Sequence, residues 1–441
     1  MEKQDYQFKS HYILIFSLLY FVQGISQSVF TVILPIYLLE LQGTISASTI
    51  AYLGSIIMIP FIIKIIFGVL TDKYGIKKLG RRKPWILTAL IMAGIVWIIL
   101  PFILNANPSE AVGIFTLAGL ITMFGMAMSD TAIDGFIIDI TPKEKLGRTQ
   151  GSTWGFRSLG IVMGGPVILI IMIFLPLDAI FITFGILIIV FAFLILLIKD
   201  IEKPREINLL SNLKIIVSKS KNWKLFTFSF FIAIVDGVIF SIISLFILIS
   251  AGLVSSEGAN IGMLETDLNL YEPQAYISSI VGIGILIGAF LGGYITDLKS
   301  RKFAYFFSLI VITGSLILLS IPVPATFLLI FAFLAGSGSG LAHSAFGSIS
   351  SGYSKEYPEL RGSYFALSAS FVNFGTMLGL SLTGTMLNFM STVTSNFYVI
   401  YAVVFLFMAL ISNIGIIPFL TLDPKIYEVK KENDVIIKTD D

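Results

Sequence analysis

The chain reads as an all-α integral membrane protein, with twelve transmembrane helices in two pseudo-symmetric six-helix bundles. Three observations predict this. Of the 441 residues, 56% are hydrophobic and 13% charged, with mean hydropathy +0.93, too apolar for a soluble surface of ordinary charge density. Apolar stretches of about 20 residues, the length that crosses the hydrocarbon layer, recur about twelve times between short polar breaks. One phrase also occurs twice, Gly68-Val-Leu-Thr-Asp72 and Gly293-Tyr-Ile-Thr-Asp297, each closing an apolar stretch and opening onto a basic run. The ten-residue alternation of a membrane barrel is absent.

Span 1, residues 12–39, is longer than a signal-peptide core of roughly 7 to 15 residues and is followed by no small-residue cleavage site, so it is a retained helix. Spans 2 to 6 fall at 48–71, 85–104, 112–138, 150–175 and 177–198, and spans 7 to 12 at 225–250, 275–297, 303–321, 326–350, 362–389 and 396–422. The bundles are thus residues 1–198 and 225–422, joined by a central loop at 199–224 and followed by a charged, mobile tail at 423–441. Basic residues fill the loops after even spans: Lys73, Lys77, Lys78, Arg81, Arg82 and Lys83 after span 2, Lys143, Lys145 and Arg148 after span 4, Lys299, Arg301 and Lys302 after span 8, and Lys355 and Arg361 after span 10. Loops after odd spans lack lysine and arginine, and the one after span 7 carries Glu257, Glu265, Asp267 and Glu272. The positive-inside rule then puts both termini in the cytoplasm of a multi-pass protein of the cell membrane. Topology explains these charges; anionic membrane lipid is a further partner for them.

The repeat extends beyond the opening phrase. Val22-Gln23-Gly24 in span 1 answers Val235-Asp236-Gly237 in span 7, and Ala127-Met-Ser-Asp130-Thr-Ala132 answers Gly340-Leu-Ala-His343-Ser-Ala345 in span 10 at the same offset. Phe156, Gly160 and Gly164 in span 5 answer Phe371, Gly375 and Gly379 in span 11, where small residues four apart let helices approach closely. Two parallel repeats rocking about a midplane site is an arrangement of secondary transporters.

Gly68-Val-Leu-Thr-Asp72-Lys73, with the run Gly80-Arg81-Arg82-Lys83-Pro84-Trp85, resembles the loop signature of the major facilitator superfamily, and the architectural resemblance covers the whole chain. It implies that Gly68, Asp72, Lys73, Arg81 and Arg82 form a cytoplasmic latch that holds the outward-open state, with Asp297 and Arg301 as a shorter second copy. Helix-end aspartates beside topogenic charges would give a similar pattern.

Ionisable residues within spans cost about 2.5 kcal/mol or more at the bilayer centre unless paired or hydrated. Lys64, Asp130, Asp134 and Arg157 fall at similar depth, and the two aspartates, four apart, share a helical face. Two cations and two anions form either a structural ion network or a switch remade on substrate or proton binding. Lys64 eight positions before Asp72, Asp130-x-x-x-Asp134 before Thr141-Pro-Lys-Glu144, and Phe156-Arg157-Ser-Leu-Gly160 are similar to the branch holding muropeptide permeases and acetyl-CoA transporters. That resemblance implies a polar, anionic solute and proton coupling. The chain lacks the extra spans of muropeptide permeases, and its Gly80–Trp85 phrase equally resembles glycoside-cation symporters, which leaves sodium open. Asp236 and His343 are the proton candidates, since burial raises a carboxylate and histidine titrates near neutrality. Gln23, Gln27, Asn373 and Asn388 are expected to line the cavity or to bond between helices.

With no cysteine, thiolate chemistry is excluded. There is no phosphate loop or His-Glu-x-x-His, and Gly282-x-Gly284-x-x-x-Gly288 lies inside an apolar span, as does Gly336-Ser-Gly-Ser-Gly340, where both read as helix packing. The reading is a non-enzymatic secondary transporter with a small-molecule solute and no cofactor or nucleic-acid partner. A monomer is expected. A non-transporting assembly or sensor protein of the same fold is the alternative from another class.

Overall fold

The structure is a computed structural model that describes residues 8–76, 78–106, 110–199, 209–264, 269–357 and 361–428. The predicted Lys77, Glu265, Asp267 and most of the tail lie outside these residues, and the side chains of Asp72, Lys73 and Asp297 lie outside the described ones. Among the described residues, eleven helices are long and apolar enough to cross a membrane: His11–Gln42, Ala47–Gly68, Lys83–Leu104, Ala111–Ile137, Gly155–Met172 and Leu177–Leu197 are spans 1 to 6, and Tyr271–Thr296, Arg301–Leu319, Ala325–Ser354, Tyr364–Val393 and Phe397–Leu420 are spans 8 to 12. Span 7 is split into Ser220–Ile232 and a second run that begins with the wide turn Val238–Ile242 and continues as Ile243–Ser250. The predicted twelve-span order stands.

Two helix breaks lie beside ionisable residues. Span 2 is interrupted around Pro60, whose missing N–H and ring disfavour a continuous helix, and restarts at Lys64 after Ile63 turns to φ −86°, ψ 12°. Span 7 leaves helical geometry at Ala233, with φ −110° and ψ 8°, just before Asp236. Pro60 signals the first break in the sequence. Nothing comparable signals the second.

Glycines set how closely the helices pack. A Cβ on Gly24 would lie 2.1 Å from the Arg157 carbonyl oxygen and one on Gly160 2.2 Å from that of Phe21, so spans 1 and 5 touch backbone to backbone. In the second half, Gly375 and Gly379 stand likewise at 1.9 and 1.8 Å from the carbonyls of Phe230 and Ile234, joining span 11 to span 7. Gly284, Gly288, Gly336 and Gly340 mesh spans 8 and 10 in the same way. The packing reading of these glycines is correct.

We call the end carrying the loops after even spans the basic end. At the other end, three short strands were not anticipated: β1 (Thr44–Ser46) between spans 1 and 2, and β2 (Val254–Glu257) and β3 (Asn260–Met263) between spans 7 and 8. They form one antiparallel sheet in the order β1-β3-β2, so a strand of the first half pairs with a hairpin of the second. The hairpin turns at Gly258, φ +65°, a conformation that favours glycine.

The tail also departs from expectation at its start. Asp423 caps the short helix Pro424–Tyr427, and its N–H donates to the Tyr353 hydroxyl at 2.8 Å. Tyr427, 2% exposed, packs on Phe419. Arg301 donates to the Tyr427 carbonyl, while Glu428 accepts from the N–H groups of Arg301 and Lys302 at 3.0 and 2.8 Å. A carboxylate at a helix N-terminus meets both the free N–H groups and the helix dipole. Charge alone suggested mobility; a buried tyrosine and a capping glutamate fix the segment.

Candidate functional site

Lys64, Asp130 and Arg157 meet inside the first bundle. The Lys64 ammonium pairs with Asp130 Oδ2, and Arg157 Nη1 lies 3.3 Å from Asp130 Oδ1, so one carboxylate faces two cations with both oxygens. The Lys64, Asp130 and Arg157 side chains are 6%, 2% and 12% exposed. The Phe61 ring sits 5.9 Å from each cationic head, within cation–π reach. Arg157 Nη2 also donates to Gln27 Oε1 at 3.4 Å. Asp134, one turn along from Asp130, accepts from the Tyr20 hydroxyl. Tyr20 escaped sequence reasoning, although it lies three residues before Gln23 and therefore on a shared face of span 1.

The second bundle carries a matching group. Asp236, at the break in span 7, has Oδ2 2.7 Å from His343 Nε2 and Oδ1 2.9 Å from Ser339 Oγ, which donates to it. The sequence presents Asp236 and His343 as separate candidates; the structure makes them one pair. Asp236 is 5% exposed, whereas the His343 ring is 40% exposed.

Other expected residues distribute unevenly. Gln23 is 2% exposed and donates through Nε2 to Ser129 Oγ at 3.3 Å, so it bridges spans 1 and 4, and its Oε1 has no hydrogen-bond partner among the described residues. Asn373 is half-buried in span 11, and Asn388 is exposed near the end away from the basic loops. In the loop signature, Gly68 faces Thr131 of span 4. Arg81 Nη2 and Arg82 Nε donate to Asp139 Oδ2 at 2.7 and 3.3 Å, and Arg82 Nη1 to Thr71 Oγ1 at 2.9 Å. Asp139, at the end of span 4, was missed because it looked like one more helix-end carboxylate. Gly135 makes room for Arg82, since a Cβ there would fall 2.4 Å from the guanidinium carbon. Arg301, placed with the second copy of the latch, donates to the Tyr427 carbonyl.

The hydrogen bonds between described residues that cross from one half to the other lie toward the end away from the basic loops. Tyr271 donates to Glu40, Gln274 Nε2 to the Val32 carbonyl at 3.3 Å, and the Tyr52 hydroxyl is 3.1 Å from Thr385 Oγ1. That end is shut.

Two repeated bundles, each bringing buried ionisable groups to its inner helices and hydrogen-bonded to one another at the end away from the basic loops, make up a multi-span membrane fold. The chain belongs to the major facilitator superfamily, whose sequence profile matches residues 16–264 and 258–435. It is similar to the putative transporter AmpG 1 of Rickettsia conorii (strain ATCC VR-613 / Malish 7), 29% identical over 272 residues, 59% of this chain and 62% of the relative. The namesake from Rickettsia felis (strain ATCC VR-1525 / URRWXCal2) is 32% identical over 161 residues, 36% of this chain and 34% of the relative. The chain thus spans less than two thirds of the length of each of these relatives. Among solved structures it is similar to a bacterial homolog of the human lysosomal transporter Spinster in an inward-facing, occupied conformation, with TM-score 0.68, 15% identity, and coverage of 94% of this chain and 97% of that one. The nucleoside transporter NupG gives TM-score 0.67 at 16% identity, covering 92% and 98%. At these identities the likeness concerns the fold.

Proposed function

We propose that the protein is a secondary active transporter moving a polar, anionic organic solute by alternating access in step with protons. In this reading it lies in the cell membrane with its basic end in the cytoplasm, and the arrangement described is its inward-facing state. The observation that carries the proposal is a basic side chain in each half held by a buried carboxylate of that same half, Arg157 on Asp130 and His343 on Asp236. An anion entering from the basic end would bridge the two basic groups. Its affinity would then depend on how the halves are disposed, which is what a carrier requires of its ligand. A proton reaching Asp236 or His343 changes the charge seen by that anion.

The test is thermal stabilisation of the purified protein by amino-sugar peptides, acyl-CoA compounds, disaccharides and small organic anions, with Arg157→Gln alongside, because a ligand stabilises the state it binds. An anionic compound that raises the melting temperature of the natural protein and leaves Arg157→Gln unmoved supports the reading. Uptake into proteoliposomes should then follow an imposed pH gradient. The Gly80–Trp85 phrase favours a second reading, a glycoside-cation symporter, for which a neutral disaccharide and a sodium gradient would be the active pair. Silence of every compound would count against both and favour a non-transporting protein of the same fold.

A further inference from the structure

The joined end is held by main chain as well as side chains. In β1 and β3, Thr44 pairs with Gly262, Ile45 with Ile261 and Ser46 with Asn260, and the ladder continues through Ala47 N–H to the Ala259 carbonyl and Met263 N–H to the Gly43 carbonyl, both at 2.9 Å. Ile45 and Ile261 are 5% and 1% exposed, so the bonds sit over an apolar plug. Neither partner has slack to follow the other. Gly43 and β1 make up the whole connection between the helix ending at Gln42 and the one starting at Ala47. The hairpin is tied to its own half at its root, where Leu253 N–H reaches the Leu248 carbonyl at 3.1 Å, and at its tip, where Gly258 N–H reaches the Ser395 carbonyl at 3.3 Å. Any rocking that parts the halves here must break the β1–β3 ladder.

We propose that this ladder is a built-in clamp that closes the end away from the basic loops and sets the resting balance toward the state open at the basic end. It rests on the alternating-access reading above. Because its bonds are main-chain bonds, the clamp depends on backbone conformation more than on side-chain identity. Two positions carry the exception: Gly43, at φ +70°, makes the sharp exit from span 1, and Gly262, where a Cβ would meet Ser255 Oγ of β2 at 2.7 Å, lets β2 close on β3 in the hairpin that presents the clamp's strand.

The absence of cysteine makes the test clean. Ser46 and Asn260 form a pair without reciprocal hydrogen bonds, judged from the neighbouring Ala47–Ala259 bond; such pairs bring Cα atoms to about 4.5 Å, within disulfide range. Gly347, one turn from His343 on the same face of span 10 with open space around it, takes a reporter cysteine. The experiment measures labelling of Gly347→Cys by a charged maleimide applied from the basic side in reconstituted vesicles. Ser46→Cys/Asn260→Cys should cross-link under mild oxidation and give maximal labelling, reversed by reductant. Ile45→Pro, which removes one ladder donor, should slow labelling about threefold or more, consistent with the loss of a net hydrogen bond's worth of bias. Gly54→Trp, a wedge against Leu380 of the other half, opens the same end without touching the strands. If Gly54→Trp slows labelling while oxidation and Ile45→Pro change nothing, the clamp is overturned and alternating access stands. If none of the three changes labelling, alternating access fails too, and failure to cross-link refutes the strand pairing itself.

Discussion

Replacing Lys64 with methionine tests whether the charged triad is a neutralised unit. The substitution removes the ammonium from an Asp130 carboxylate whose side chain is 2% exposed. Stranding one member of a buried pair costs about 3–5 kcal/mol. Arg157, 3.3 Å from the other carboxylate oxygen, remains as a partner, so the loss should sit near the lower limit, about 3 kcal/mol. Asp130→Leu is the harsher change, because it leaves both Lys64 and Arg157 without their shared anion and should reach about 5 kcal/mol or more. At about 2 °C per kcal/mol, the scaling for a soluble domain the size of one bundle, the melting temperatures fall by about 6 and 10 °C. The double variant Lys64→Met/Asp130→Leu should lose about 2 kcal/mol less than the sum, the signature of direct coupling. Thermal unfolding in detergent of the four proteins measures all of this. A Lys64→Met protein less stable than Asp130→Leu, or strict additivity, would refute the shared-carboxylate account.

Four other outcomes rest on the same geometry. Gly375→Ala puts a methyl where the Phe230 carbonyl stands at 1.9 Å, so it should cost about 1–3 kcal/mol by overpacking, visible as a lowered melting temperature. Arg82→Lys should not replace the arginine, since a single ammonium cannot serve Asp139 and Thr71 together as the fork does; a melting temperature equal to the natural protein's would contradict this. Asn222→Ala leaves the Ile216 carbonyl and the Tyr357 and Tyr364 hydroxyls short of a partner, at a cost of about 2–3 kcal/mol, with protease sensitivity of the helix Leu209–Ser218 as a local readout. Asp236→Asn keeps an acceptor for Ser339, whereas Asp236→Leu keeps none, so leucine should be the more destabilising substitution by about 1 kcal/mol or more.

The span order and the glycine contacts were legible because each follows from local composition: about 20 apolar residues must cross as helix, and paired glycines four apart mark close approach. Lys64, Asp130 and Arg157 were legible as a group because burial of charge in lipid demands partners at equal depth. Their pairing was not, since depth does not say which oxygen meets which cation. Tyr20 and Asp139 were missed for opposite reasons. A tyrosine in an apolar helix looks like packing, and an aspartate at a helix end ahead of a basic loop looks like topology. The β1–β3 ladder was invisible because three-residue strands carry too few residues for a period-2 signal, and their pairing joins residues more than two hundred positions apart in sequence.

The docked segment Asp423–Glu428 has a consequence for the order of events during synthesis. The Arg301 N–H and its Glu428 acceptor are separated by 127 residues. At about 5–20 residues per second, the first turn of span 9, already capped at Phe303 by Ser300, waits roughly 6 to 25 s for the Glu428 acceptor. In that interval water or lipid headgroups must serve the Arg301 and Lys302 N–H groups that Glu428 later satisfies. The second bundle therefore matures only when residues 423–428 arrive, and a nascent chain halted before them should expose span 9's leading turn to quality-control proteases.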